Sequence, residues 1–296
     1  MIGIEPAPPG APASLPRVPG PNRHVLAAER AALAQAMLGC CHLCAHHCGA
    51  NRLAGPAGPC HAGPEPRFFS AQVEVADELE LIPTFAVALS GCDLRCDFCL
   101  TGQSSWNPKA GQVWDAAGMA AQAARALEQG ARTVMLLGGE PTIHLPAALA
   151  FVAAMPVTAK LVWKTNAHCS VQARQWLDGL FDVWVADFKF GNNACAQRLA
   201  RIADYVPLLQ DNLRWAWHHT GLIVRHLLLP GHGECCWRPI AEWLAAELPA
   251  VKVSLRSGFW PAWHAARHPE LRQTIPGAES ERALQLAHAL GLNLVP

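Results

Sequence analysis

The stretch Ser90-Gly91-Cys92-Asp93-Leu94-Arg95-Cys96-Asp97-Phe98-Cys99 places three thiols on one short loop, directly after the apolar run Phe85–Leu89. Thiolates are the usual ligands of iron–sulfur clusters, and so short a loop lets three of them reach one inorganic cube. Three ligands for four irons leave one iron open, as a catalytic metal site keeps a free position. On spacing alone, a zinc knuckle completed by a nearby histidine, or three unconnected thiols, satisfies the same letters.

Outward from this loop the chain alternates short apolar runs with helical stretches. The strand candidates are Phe85–Leu89, Thr133–Leu137, Lys160–Trp163, Val183–Ala186, Leu222–Leu228 and Val251–Leu255. Between them helical spacing is read over Asp115–Gln129, Pro146–Ala154, Val171–Leu177, Ala194–Trp215 and Pro239–Leu248, and a last helix over Ala278–Leu290. Such alternation predicts parallel strands with crossover connections, and the chemistry of such sheets gathers at the C-terminal ends of the strands. The polar groups at those ends are Gly138-Gly139-Glu140-Pro141, Lys164-Thr165-Asn166 and Asp187-Phe188-Lys189, and Arg225-His226 lies within the fifth strand. Each has a bland reading: an ordinary turn, a surface lysine, a buried structural pair.

Upstream, residues 1–22 are rich in Pro, Ala and Gly and read as a tail unable to build a core. Residues 23–82 read as a helix, Arg23–Met37, followed by a cysteine-rich extension, and residues 83–296 as the β/α core. In the extension Cys41, Cys44, Cys48 and Cys60 follow C-x-x-C-x-x-x-C-x₁₁-C, with Cys40, His42, His46 and His47 as spare donors. Four thiolates close a tetrahedral zinc site or saturate a second 4Fe–4S cluster, and the spacing does not separate the two. Cys169, Cys195, Cys235 and Cys236 read as small buried hydrophobes.

The spacing C-x-x-x-C-x-x-C with Phe98 before its last cysteine, together with the Gly-Gly-Glu-Pro turn one strand later, resembles the radical S-adenosylmethionine (SAM) superfamily. The resemblance implies a partial, six-stranded TIM-type β/α barrel. It implies a 4Fe–4S cluster on Cys92, Cys96 and Cys99 whose open iron chelates SAM. Gly138, Gly139, Glu140, Pro141, Lys164, Asn166, Asp187, Lys189, Arg225 and His226 are then expected to contact SAM or substrate. The cysteine box, with Asp187-Phe188-Lys189-Phe190, Arg225 to Gly231 and Arg267-His268-Pro269-Glu270-Leu271, is similar to the PflX-like relatives of pyruvate formate-lyase activating enzyme. That branch implies a radical oxidoreductase acting on a protein, with reduced flavodoxin or ferredoxin as electron donor. A small metabolite as substrate, and a non-catalytic Fe–S scaffold, are the alternatives. Leu100-Thr101, Ala45-His46 and the segment Val75 to Glu80 depart from the branch's pattern.

Composition agrees with this direction. Zero formal net charge offers no basic surplus for nucleic acid, and no long uncharged apolar stretch spans a membrane. Without a secretory signal pattern a cytoplasmic setting is expected, where twelve cysteines point to metal or redox chemistry rather than disulfides. Of the eleven tryptophans, Trp163, Trp184 and Trp215 are assigned to the core, and Trp237, Trp260 and Trp263 to a groove for a partner.

Overall fold

The computed structural model describes residues 23–76 and 78–296; the expected tail over 1–22 lies outside the described residues. The chain opens with α1 (Arg23–Met37), the cysteine-rich extension and β1 (Arg67–Glu74). It continues through β2 (Thr84–Leu89), α2 (Gly102–Trp106), β3 (Gln112–Val113), α3 (Ala116–Glu128), β4 (Thr133–Gly138), α4 (Leu145–Ala154), β5 (Leu161–Thr165) and α5 (Val171–Leu177). The second half runs β6 (Val183–Asp187), α6 (Asn193–Ala200), α7 (Val206–His219), β7 (Gly221–Leu227), α8 (Arg238–Glu247), β8 (Lys252–Arg256), α9 (Gly277–Ala289) and β9 (Asn293–Leu294).

All six residues of β2 are buried, as expected of a strand paired on both sides and covered on both faces. The six expected strands pair in parallel as β2-β4-β5-β6-β7-β8. The sheet is mixed and does not close: β1 pairs antiparallel with both β2 and β3 on one side, and short β9 ends the other. Those three strands carry little period-2 signal and escape a reading by pattern. The expected helix over Ala194–Trp215 is two helices. Asn192 caps α6 by accepting from Cys195 N, Arg201 ends it at φ 64°, and Pro207 sits in the first turn of α7. A left-handed residue terminates a helix and a first-turn proline starts the next.

Strand alternation sorts the core into two faces. Val134, Leu136, Trp163, Trp184, Leu222 and Val224 point outward beneath the helices. Met135, Val162, Val185 and Ile223 point inward with Leu81. Continuing the inward face toward the C-terminal ends leads to Leu137, Lys164, Asp187 and Arg225, which all line one cavity. The period of two thus carries the core's inner layer straight into the site.

The extension is pinned to the sheet by backbone bonds. Cys44 bridges Cys169, Ala45 N donates to His168 O at 3.0 Å, and Ser170 N donates to Leu43 O at 3.0 Å. Arg52, fully buried, donates to Ala62 O, Gly63 O and Ile143 O at 3.1, 3.1 and 2.7 Å. At the start of α1, Arg23 reaches Ala159 O at 2.8 Å and pairs with Asp182 at 3.2 Å. Among the described residues no helix is long and apolar enough to cross a membrane.

Candidate functional site

A cavity of about 360 Å³ opens at the C-terminal ends of the parallel strands. Its wall brings together Cys92, Cys96, Cys99, Gly138, Gly139, Lys164, Asn166, Asp187, Lys189 and Arg225 from five different strand ends. Leu94, Phe98, Leu137 and Leu227 supply the apolar part, and Leu100 and Trp106 stand at the rim. Three expected members are elsewhere. His226 faces outward one residue after Arg225, as alternation demands; it stacks on Trp237 at 5.2 Å and pairs through Nδ1 with Phe188 O at 2.7 Å. Glu140 and Pro141 are buried beneath the cavity rather than in its wall.

The cysteine loop is stitched down at both ends. Gly139 N donates to Leu89 O at 2.8 Å and Glu140 N to Gly91 O at 2.9 Å, so the Gly-Gly-Glu-Pro turn lies against the start of the loop. The two glycines answer to this contact: an added Cβ would stand 2.2 Å from Leu89 O at Gly138 and 1.8 Å from Gly91 O at Gly139. Close approach of protein backbone therefore already requires glycine there. Glu140 accepts from Thr142 N, Thr165 Oγ1 and Asn166 N at 2.9, 2.8 and 2.7 Å, tying β4 to β5. Burial, with Asp93 nearby, raises its carboxyl to about 7.

Two aspartates of the loop, which their positions in sequence did not single out, are anchors. Asp93 accepts from Asn166 Nδ2 at 2.8 Å and meets His168 Nδ1 at 2.7 Å. Burial opposes its ionisation, but His168 and Asn166 outweigh that and hold the carboxyl below its ordinary value. His46 completes the group, its Nε2 3.1 Å from Asp93 O and its ring edge-on to His168 at 5.0 Å. Asp97 meets His268 Nε2 at 2.9 Å, with Arg201 and Arg267 at 3.3 and 3.4 Å. The segment Arg267-His268 thereby acquires a structural task.

The cavity floor is a charge cluster. Glu78, fully buried, lies 3.5 Å from Lys164, 3.7 Å from Arg225 and 3.2 Å from Arg256, and accepts from Ser254 Oγ at 3.0 Å. Asp187 and Lys189 pair at 2.5 Å; burial opposes both charges, yet their mutual attraction lowers the carboxyl and raises the amine. Without a metal, burial pushes the Cys96 thiol up to about 12 and the Cys92 thiol well above its ordinary value, where Asp93 adds to the effect. A cation that takes the place of the thiol protons is what makes such sulfurs ligands.

In the extension, Cys41, Cys44 and Cys60 are buried and Cys48 is exposed. Arg52 Nη1 stands 3.7 Å from Cys41 Sγ, and Gly58, at φ 71°, leaves room for the Cys48 sulfur, which a Cβ there would meet at 2.9 Å. Trp237 is largely buried, donates to Ala283 O at 3.0 Å and forms part of the lining of a surface cavity beside Arg238 and Glu279; Trp260 and Trp263 are exposed.

Residues 84–199 match the family described as a 4Fe-4S single cluster domain. That span runs from β2 through the cysteine loop to α6, and a 4Fe–4S cluster is its cofactor. An uncharacterised protein of Methanocaldococcus jannaschii is 27% identical over 270 residues, 86% of this chain and 76% of its own. Among solved structures, Streptococcus suis SuiB bound to S-adenosylmethionine superposes with a TM-score of 0.54 at 15% identity, over 69% of this chain. SuiB bound to its precursor peptide SuiA gives a TM-score of 0.54 at 14% identity, over 69% of this chain. The chain spans just under half of the SuiB chain, 46% and 47% in the two structures. The likeness shows the α/β fold.

Proposed function

We propose that this chain is a radical SAM enzyme that acts on a peptide or protein. One observation carries the reading: three loop cysteines, the glycine turn and the polar ends of three further parallel strands face a single cavity. Cys92, Cys96 and Cys99 would hold the 4Fe–4S cluster, and the donor set fits, since three thiols leave one iron free for SAM. When bound, the cluster supplies the electron for reductive cleavage of SAM, whose product radical takes a hydrogen atom from substrate.

The protein's own residues bind and orient. Lys164, Lys189 and Arg225 bring three cationic donors to the cavity wall, held in place by Glu78 and Asp187, and such donors suit the SAM carboxylate. Gly138 and Gly139 present bare backbone beside the cysteine loop. Phe98, Leu94, Leu137 and Leu227 keep water from the remainder of the cavity. The second metal group expected in the box, a cluster or zinc on Cys41, Cys44, Cys48 and Cys60, would lie against the Asp93–His168 anchor of the first.

The macromolecular substrate is supported by the open mouth, where Leu100 is exposed beside Trp106 and Trp263, and by the SuiB fold, solved with a precursor peptide. The test is 5′-deoxyadenosine release from anaerobically reconstituted protein given SAM and a strong reductant. Release is expected, and its loss in Cys92→Ala, Cys96→Ala and Cys99→Ala; a fully loaded cluster that releases none overturns the proposal. Deuterium reaching 5′-deoxyadenosine from the peptide fraction of a deuterated lysate, and not from its small-molecule fraction, assigns the substrate class.

A further inference from the structure

Cys195, Cys235 and Cys236 are not scattered core thiols. With His232 they form a set of four donors whose ligand atoms all lie within 4.8 Å of one another. Among the described residues the Cys92, Cys96, Cys99 triplet and the Cys41–Cys60 box do not close in this way. Cys195 comes from the first turn of α6, and the other three from the turn between β7 and α8, so the fold, not sequence proximity, assembles the group.

The separations match one tetrahedral ion. Bonds of about 2.3 Å to sulfur and about 2.0 Å to nitrogen, at tetrahedral angles, put sulfurs roughly 3.8 Å apart and sulfur and nitrogen roughly 3.5 Å apart. His232 Nδ1 stands 3.6 Å from Cys195 Sγ, 3.3 Å from Cys235 Sγ and 3.6 Å from Cys236 Sγ. Cys195 and Cys235 sulfurs are 3.8 Å apart, and those of Cys235 and Cys236 4.0 Å. A polynuclear iron–sulfur cube needs its thiolates spread around a larger body.

The surroundings are built as such sites are. Asn192 Nδ2 stands 3.3 Å from Cys195 Sγ and 3.9 Å from Cys236 Sγ and donates to Cys235 O at 2.6 Å, while its Oδ1 accepts from Cys195 N at 2.7 Å. Ligation at Nδ1 leaves the remaining ring proton of His232 on Nε2, which faces Glu270 Oε1 at 3.6 Å. Arg198 donates to that carboxylate at 2.5 Å through Nη1; its Nη2, 3.3 Å from the same histidine nitrogen, can only donate there while Nε2 is unprotonated, so ligation at Nδ1 requires it to turn away. A carboxylate behind a ligating histidine is the usual support of a zinc site. The turn Gly233–Trp237 is a π-helical one, which brings adjacent Cys235 and Cys236 to one point. Gly191 lets it approach: a Cβ there would stand 2.3 Å from Cys236 O.

We infer that Cys195, His232, Cys235 and Cys236 bind one zinc ion in a closed, structural site, separate from the SAM cavity. Four protein donors leave no open position, so the ion is a staple rather than a catalyst. It joins the start of α6, just beyond the end of β6 where Asp187 and Lys189 stand, to the turn after β7, the strand that carries Arg225, and so ties together two elements that line the cavity. Binding exchanges three thiol protons for Zn²⁺ with no change of oxidation state.

The test is zinc content of the purified full-length chain by mass spectrometry, in the wild type and in Cys235→Ser, Cys195→Ser, His232→Gln and Cys48→Ser. Cys235→Ser, Cys195→Ser and His232→Gln are each expected to hold about one equivalent less zinc than wild type, a loss separate from any that Cys48→Ser causes at the Cys41–Cys60 box. Cys235 is exposed, so its serine variant keeps the far-UV spectrum of the folded chain while losing the ion. Cobalt titrated into the zinc-stripped chain should give intense thiolate charge-transfer absorption, several-fold weaker in Cys235→Ser. Unchanged zinc content and cobalt spectra in Cys235→Ser and Cys195→Ser would overturn the inference, as would a Cys195–Cys235 disulfide found in the native chain.

Discussion

At the scale of single residues, Glu78 matters most for how the cavity floor is held. It is a buried carboxylate facing Lys164, Arg225 and Arg256, three cations on the inward faces of β5, β7 and β8. Removing one partner of a buried charge set leaves the others uncompensated, at a cost of about 3–5 kcal/mol. Glu78→Ala should therefore lower the urea midpoint strongly, whereas an unchanged midpoint would show that the cations find other partners. Neighbouring letters did not announce this role: Glu78 stands in a polar segment that departs from the family pattern, and its partners lie more than 80 positions away. Asp93 and Asp97 were equally silent, since their partners His168 and His268 come from other loops.

At the scale of elements, β7 gives the clearest division of labour. Arg225 faces the cavity and His226 the helices, because successive side chains of a strand point to opposite faces. Arg225→Gln should weaken SAM binding by about tenfold to a hundredfold, the worth of one charge-assisted hydrogen bond, while His226→Gln leaves it within about twofold. Equilibrium binding to the cluster-loaded protein reads both, and the reverse order would contradict the cavity assignment. Parity was available in the sequence, but not its phase. Which residue of the pair faces inward is set by the helices that cover one side of the sheet.

At the scale of the whole molecule, burial makes stability depend on pH. His144, close to Arg52, and His226 are both buried, which depresses each to about 4. Below the ordinary histidine value, near 6.5, the unfolded chain binds protons that the folded chain refuses until about pH 4. Their contribution is thus fully present above that ordinary value and is lost as pH falls, by on the order of 1.4 kcal/mol per pH unit for each histidine. Urea unfolding at neutral and mildly acid pH, at equal cluster loading, should show a smaller acid loss in His226→Gln than in wild type. Equal losses would refute the assignment.

What the sequence determined by itself is what depends on neighbours along the chain. Six parallel strands, most of the helices, the cysteine loop at the end of the first of them and the glycine turn at the end of the next are all set by periodicity, turn residues and short spacing. Tertiary structure decided what depends on contacts between distant segments. It left the sheet open and flanked by antiparallel β1, turned Arg225 in and His226 out, and buried Glu140 beneath the cavity. It also drew Cys195 to His232, Cys235 and Cys236 across the ends of β6 and β7. The physical reason is that local conformation follows from backbone sterics and patterning of adjacent residues, whereas a metal site or a buried charge cluster follows from which side chains packing brings within a few ångströms.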